Sequence, residues 1–130
     1  MKAKITCLVA VLFTTLSVAQ TKSVLFIGNS YTGFNNLPQL TKDVALSAGD
    51  TLEFDAHTPG GTQLSQHASS ATAIQKIYSR NWDHVVLQAQ SQEPSFSQTQ
   101  VQQMVYPYAK ILCDTIRAND SCTRPIFYRT

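Results

Sequence analysis

The sequence has few of the features that mark metal, nucleic-acid or membrane proteins. It holds only three cysteines and three histidines in 130 residues, and their spacing matches no zinc pattern. It contains no basic run, which argues against a nucleic-acid partner. Beyond residue 16 no apolar run is long enough for a membrane helix. Since no motif for a metal or an organic cofactor is found, we expect the protein to use neither.

The first nineteen residues have the pattern of a secretory signal peptide. Lys2 and Lys4 give a positive start, residues 5–16 are apolar, and the small residues of Ser-Val-Ala end at Ala19. We therefore expect cleavage after Ala19 and a secreted or periplasmic protein with no stable membrane insertion. Without the two lysines, eight basic residues face eight acidic ones. Residues 20–130 have a suitable length for one domain with a single core.

Two cysteines, Cys113 and Cys122, remain after this cleavage. An exported protein meets an oxidising compartment, where disulfides form and persist. We therefore expect a local disulfide between them and not two free thiols. This bond would join the end of a helix to the loop that follows it.

Short apolar runs alternate with segments of helical periodicity through the rest of the chain. The runs at 24–27, 52–56, 85–87 and 126–128 predict four strands. Helices are expected between them: one with a stripe at Leu40 and Val44, one between Thr62 and Asn81, and one from Ser97 or Thr99 that Pro107 should kink or delay. This order predicts an α/β fold with a parallel sheet, helices on both faces and right-handed crossovers.

The chain stops at Arg129-Thr130, directly after the fourth predicted strand. No helix follows that could cover this strand. The sequence therefore looks like the N-terminal part of a domain whose last strand and helix are missing.

Polar or glycine-rich segments follow the first three strands, at 28–32, 58–62 and 88–93. In a parallel sheet these exits lie at the same edge, where α/β proteins bind their ligands. Ser30, two residues past the first apolar segment and its glycine, is therefore a candidate nucleophile. An ordinary loop with an Asx or Ser turn would have the same residues.

The segment Gly28-Asn29-Ser30 resembles the Gly-Asp-Ser motif of the SGNH (GDSL-like) esterase and lipase superfamily, with Asn in place of Asp. The segments "GNSYT", "GGT" and "LQAQS" together look most like an exported bacterial branch of that superfamily. The resemblance covers residues 23–130. It implies a three-layer α/β/α sandwich of flavodoxin-like type, with Ser30 as the nucleophile.

The resemblance also implies an oxyanion hole built from the same three loops. Gly60 and Gly61 occupy the place of the family's backbone donor after the second strand. The family's donor asparagine after the third strand is absent. A glutamine also offers two N–H donors, so Gln92 by its position, or Gln88 or Gln90, could replace it.

The family's catalytic base comes from an Asp-x-x-His motif that this sequence does not contain. His57, His67 and His84 are its only histidines, and none matches the motif. The sequence therefore predicts a serine esterase, acting on a carboxylic ester or a carbohydrate O-acetyl group, without its base. The alternative is a non-catalytic exported α/β module that binds a carbohydrate or small polar ligand. A flavodoxin-like nucleotide binder is disfavoured, because "GNSYTG" would be a glycine-poor phosphate loop and no helix is predicted to start directly after it.

Overall fold

Four strands and six helices alternate along residues 20–129, the part of the chain that a computed structural model describes. The strands are β1 (Thr21–Ile27), β2 (Thr51–His57), β3 (His84–Gln88) and β4 (Arg124–Tyr128). The helices are α1 (Ser30–Gly33), α2 (Leu37–Ser47), α3 (Leu64–Ser69), α4 (Ala71–Tyr78), α5 (Gln98–Met104) and α6 (Tyr106–Asn119). The expected signal peptide, residues 1–19, lies outside the described residues.

All strand pairs are parallel, and the strand order in the sheet is β2-β1-β3-β4. Helices lie on both sides of this sheet, which confirms the predicted α/β class. Helix α2 packs on β2, whereas α3, α4 and α5 all pack against α6. Because every strand runs in the same direction, the loops after β1, β2 and β3 leave from one edge.

The main core lies between the sheet and the layer of α3 to α6. Successive residues of a strand point to opposite faces, so Leu25 and Ile27 of β1 enter this core together with Val85 and Leu87 of β3. These four side chains are fully buried. They pack against residues from the helical layer, including Leu64, Ile77, Leu112 and Ile116.

The helices differ from the prediction between Thr62 and Asn81 and agree with it at Pro107. The segment between Thr62 and Asn81 contains two helices, because Ser70 has an extended backbone, with ψ of 116°. Ser70 ends α3 and also caps α4, where its side chain accepts a hydrogen bond from the Ala73 N–H. The expected effect of Pro107 is confirmed, since α5 ends before it and Pro107 lies in the first turn of α6.

The apolar stripe of α2 does not face the sheet. Leu40 and Val44 are 54% and 61% exposed, and Pro38 is the buried residue of this helix. On the same face of the sheet, Ile126 and Tyr128 of β4 are 44% and 38% exposed. Part of this face is therefore apolar and open among the described residues.

The structure does not support the expected disulfide. Cys113 and Cys122 are free thiols and are not at bonding distance. Cys113 lies six residues before the end of α6 and packs against the core, which places it about 9 Å along the axis from that end. Cys122 is exposed in the turn after the helix, where its N–H donates to the Asp120 carboxylate. No helix among residues 20–129 has the length and apolar character to cross a membrane.

Candidate functional site

Ser30 is the first residue of α1 and lies three residues beyond the end of β1. Asn29 caps this short helix, because its side-chain oxygen accepts a hydrogen bond of 3.1 Å from the Tyr31 N–H. Ser30 is exposed and borders a cleft of 390 Å³, together with Tyr31, Phe34 and Asn35. Its backbone N–H has no helical acceptor, since the first N–H groups of a helix never do.

Asn29 joins the loops after β1, β2 and β3. Its backbone N–H donates to the Gln88 Oε1 atom at 3.0 Å, and its Nδ2 donates to the carbonyl of Thr62 at 3.1 Å. The residue itself is buried, with 1% of its surface exposed. The segment of Ser30 is thus hydrogen-bonded to the end of β3 and to the loop that contains Gly61.

Gly28 has no side chain, which allows Thr32 and Gln88 to lie close to its backbone. A Cβ atom at this position would lie 2.6 Å from the Thr32 Oγ1 atom and 2.8 Å from the Gln88 Oε1 atom. Real Cβ atoms essentially never come so near another heavy atom. The glycine before Asn29-Ser30 is therefore required by packing between β1, α1 and β3.

Gly60 and Gly61 lie in the exposed loop after β2. Gly61 has a φ of 70°, in the left-handed region that favours glycine. Nothing lies within 4 Å of a Cβ built on either residue. Their backbone therefore borders open space beside Thr62, the residue that Asn29 contacts.

The three glutamines after β3 have different surroundings. Gln88 is fully buried, and its Oε1 accepts hydrogen bonds from the Asn29 N–H and the Thr32 hydroxyl. Its Nε2 donates to the carbonyl of Ala89. Gln90 is half-buried, and its Oε1 accepts a hydrogen bond from the Gln92 N–H at 2.7 Å. Gln92 is exposed, so Gln90 and Gln92 have amide groups nearer to solvent than that of Gln88.

Glu93 holds the third loop in place, a role that its sequence context does not reveal. Only 2% of this residue is exposed. Its carboxylate accepts the N–H of Gln90 at 2.7 Å and the backbone N–H of Leu64 at the start of α3. Burial raises the pKa of Glu93, and these two hydrogen bonds partly offset the rise.

None of the three histidines hydrogen-bonds to Ser30 in the described structure. His67 is fully buried, and its Nε2 contacts the carbonyl of Gly28 at 3.0 Å. Since a carbonyl only accepts, Nε2 carries the proton, and the buried Nδ1 has no partner. Burial lowers the pKa of His67 to about 4, so the ring is neutral at physiological pH.

His57 and His84 make no hydrogen bond to Ser30 either. His57 ends β2, and its ring lies 5.5 Å from that of His67, between ring centroids. Burial and the nearby Lys76 lower its pKa, and its Nε2 lies 3.4 Å from the Ser70 hydroxyl. His84 begins β3 at the opposite edge of the sheet. Among residues 20–129, no group of three potential metal ligands occurs.

The fold is SGNH-like. Its parallel sheet carries Ser30 at the turn from β1 to α1, and Asn29 links this turn to the ends of the next two strands. Comparison with solved structures supports this class. A protein described as a putative SGNH hydrolase from Slackia heliotrinireducens is 25% identical with a TM-score of 0.65, over 85% of this chain and 56% of the other.

A second solved structure, a DUF4886 family protein from Bacteroides uniformis ATCC 8492, has the same fold. It is 18% identical with a TM-score of 0.62, over 82% of this chain and 49% of the other. The chain therefore spans about half the length of these two proteins. No family model matches the sequence, and no curated protein does so.

Proposed function

We propose that this chain carries the nucleophile and oxyanion hole of a serine ester hydrolase. The single observation that supports this most is the position of Asn29, which caps the helix of Ser30 and bonds to the loops after β2 and β3. These bonds fix the residues around an exposed serine at the edge where α/β proteins bind ligands. An exposed serine in a hydrogen-bonded turn of a hydrolase-like fold is better explained by a role in acyl transfer than by a purely structural role.

In this proposal the Ser30 hydroxyl attacks the carbonyl carbon of an ester. The carbonyl oxygen becomes an oxyanion, which the N–H groups of Ser30 and of Gly60 or Gly61 would stabilise, together with the side-chain amide of Gln90 or Gln92. The C–O bond to the alcohol breaks, and the alcohol leaves with a proton. Water then hydrolyses the acyl-serine and restores the hydroxyl. Gln88 is not assigned a donor role, because its amide is buried and bonded within the protein.

We propose that the base is none of the three histidines of this chain. His67 is bonded to the Gly28 carbonyl, His57 contacts the Ser70 hydroxyl, and His84 lies at the other edge of the sheet. A serine hydroxyl is a weak nucleophile without an adjacent base. The chain alone should therefore hydrolyse activated esters weakly, and an Asp-x-x-His segment from a longer protein should raise the rate. The substrate we propose is a carboxylic ester or a carbohydrate O-acetyl group.

The test is hydrolysis of a small activated aryl acetate by the wild type, Ser30→Ala and Ser91→Ala. Ser91 is a matched control, since it is a half-buried serine in the loop after β3. A serine hydroxyl without an adjacent base attacks an ester slowly, so we expect slow turnover that Ser30→Ala abolishes and Ser91→Ala retains. Turnover that does not depend on Ser30 would refute the nucleophile, and turnover as fast as an intact esterase would point to one of the histidines as base.

The lack of a base beside Ser30 also favours a second candidate, a non-catalytic module that binds a carbohydrate or small polar ligand at the same cleft. Saturable binding of an acetylated oligosaccharide without Ser30-dependent turnover would favour this module. Both functions suit an exported protein.

We propose that residues 1–19 are removed on export. N-terminal sequencing of secreted material should then begin at Gln20 or within a few residues, and a mature chain that starts at Met1 would exclude this.

A further inference from the structure

We propose that Gln88, together with Thr32, is a positioning pair that fixes the segment of Ser30 for reaction. This inference rests on the function proposed above, in which Ser30 is the nucleophile. Neither residue borders the cleft beside Ser30, and both are almost completely buried. They act through the backbone on either side of the serine.

The side chain of Gln88 extends the sheet by one step beyond the last paired residues. In the ladder between β1 and β3, Ile27 and Leu87 are the final pair. The Gly28 N–H then bonds to the His57 carbonyl of β2, at 3.1 Å. The next N–H, that of Asn29, has no backbone partner in β3 and is satisfied by the Gln88 Oε1 atom at 3.0 Å.

The same oxygen also holds the far side of Ser30. The Thr32 hydroxyl donates to the Gln88 Oε1 atom at 2.9 Å, so one acceptor binds the residue before Ser30 and the second residue after it. The Nε2 of Gln88 bonds to the Ala89 carbonyl and thereby fixes which end of the amide faces α1. Because all these groups are buried, a bond that is lost is not replaced by water.

This arrangement fixes the backbone of Ser30, and with it the direction of its N–H, before any ester binds. Catalytic groups that are held in place need no reorganisation during the reaction, and small misplacements reduce rates strongly. Asn29 and Thr32, which lie on either side of Ser30, are buried while Ser30 itself is exposed. The pair therefore holds the turn on its buried side and leaves Ser30 accessible to solvent.

Thr32→Val tests the proposal, because it replaces the hydroxyl with a methyl group of similar shape and leaves the Gln88–Asn29 bond in place. The matched control is Thr123→Val, which removes another buried hydroxyl that donates to a carbonyl, that of Trp82, at the opposite edge of the sheet. Thr32→Ser keeps the hydroxyl and should restore the wild-type behaviour. For the slow Ser30-dependent ester hydrolysis, we expect Thr32→Val to lower kcat about tenfold with KM unchanged, the effect of one lost hydrogen bond.

Thr123→Val should change kcat less than about twofold while lowering the midpoint of urea unfolding as much as Thr32→Val does. Equal losses of kcat in both valine variants, or none in Thr32→Val, would overturn the proposal. If the wild type shows no Ser30-dependent reaction, the proposed function fails but the pair is still testable. Amide hydrogen exchange in residues 28–33 should then be faster in Thr32→Val and unchanged in Thr123→Val, and the same exchange in both would overturn the positioning role.

Discussion

At the scale of single residues, Asn29 makes two side-chain hydrogen bonds that an aspartate could not both make. The Asn29 side chain accepts from the Tyr31 N–H and donates to the Thr62 carbonyl. A carboxylate can accept but cannot donate. The asparagine thus links the turn of Ser30 to the loop after β2. An aspartate at this position would repel the Thr62 carbonyl oxygen.

Asn29→Asp should therefore destabilise the protein and loosen the site. The lost bond and the charge facing a carbonyl should lower the free energy of unfolding by about 1–3 kcal/mol. Asn119→Asp is the control, since Asn119 also donates its amide to carbonyls, those of Ile77 and Arg80, but far from Ser30. Urea unfolding should show a loss in both variants, whereas Ser30-dependent hydrolysis should fall only in Asn29→Asp. An Asn29→Asp protein as stable and active as the wild type would be incompatible with this role.

His67 should make stability depend on pH. Its pKa is lowered to about 4 by burial, whereas the unfolded chain binds the proton near the ordinary value of about 6.5. The contribution of neutral His67 to stability is fully present above about pH 6.5. It is lost as the pH falls toward 4, because the unfolded state then binds more protons than the folded state. Between about pH 7 and pH 4.5 the loss should be roughly 2 kcal/mol.

His67→Gln is the matched variant, because a glutamine can still donate to the Gly28 carbonyl but does not titrate. Urea unfolding at both pH values should show a smaller loss of stability in this variant than in the wild type. The pKa of Asp83, lowered to about 2 mainly by the Ser23 N–H bond, affects stability only at more acidic pH. Identical pH dependence in the two proteins would show that His67 is not the group responsible.

At the scale of secondary-structure elements, the junction between β1 and α1 depends on the absence of a side chain at Gly28. Gly28→Ala should cost about 1–3 kcal/mol, because the methyl group overlaps Thr32 and Gln88. Gly60→Ala should change stability by less than about 0.5 kcal/mol, since its Cβ meets open space. Thermal unfolding of the two variants checks this difference, and equal midpoints would contradict the packing at the junction.

The elements themselves were largely predictable, whereas the buried polar contacts were not. Apolar runs such as Val24 to Ile27 specify strands, and their alternation with helices specifies a parallel sheet. The burial of Gln88, His67 and Glu93 depends on partners far away in the sequence, so no local pattern reveals it. The break at Ser70 was missed for a related reason, because one residue caps two helices and local propensity does not show this.

At the scale of the whole molecule, one face of the sheet presents apolar side chains to solvent. Ile126 and Tyr128 of β4 are both more than a third exposed on this face. Contiguous apolar surface binds hydrophobic dyes. Ile126→Thr should therefore lower the fluorescence of a bound naphthalene-sulfonate dye, whereas Ile111→Thr, an exposed isoleucine of α6, should leave it nearly unchanged. Equal signals from all three proteins would mean that this face is not a contiguous apolar surface.

We propose above all that Ser30 is an accessible nucleophile, held at the sheet edge where the loops after three strands meet. The most direct test is covalent reaction with an alkyl fluorophosphonate, followed by mass spectrometry of tryptic peptides from the wild type, Ser30→Ala and Ser91→Ala. We predict slow labelling of the peptide 23–42, on Ser30, in the wild type and in Ser91→Ala, and none in Ser30→Ala. Labelling that persists in Ser30→Ala, or no labelling of this peptide in the wild type, would contradict the claim.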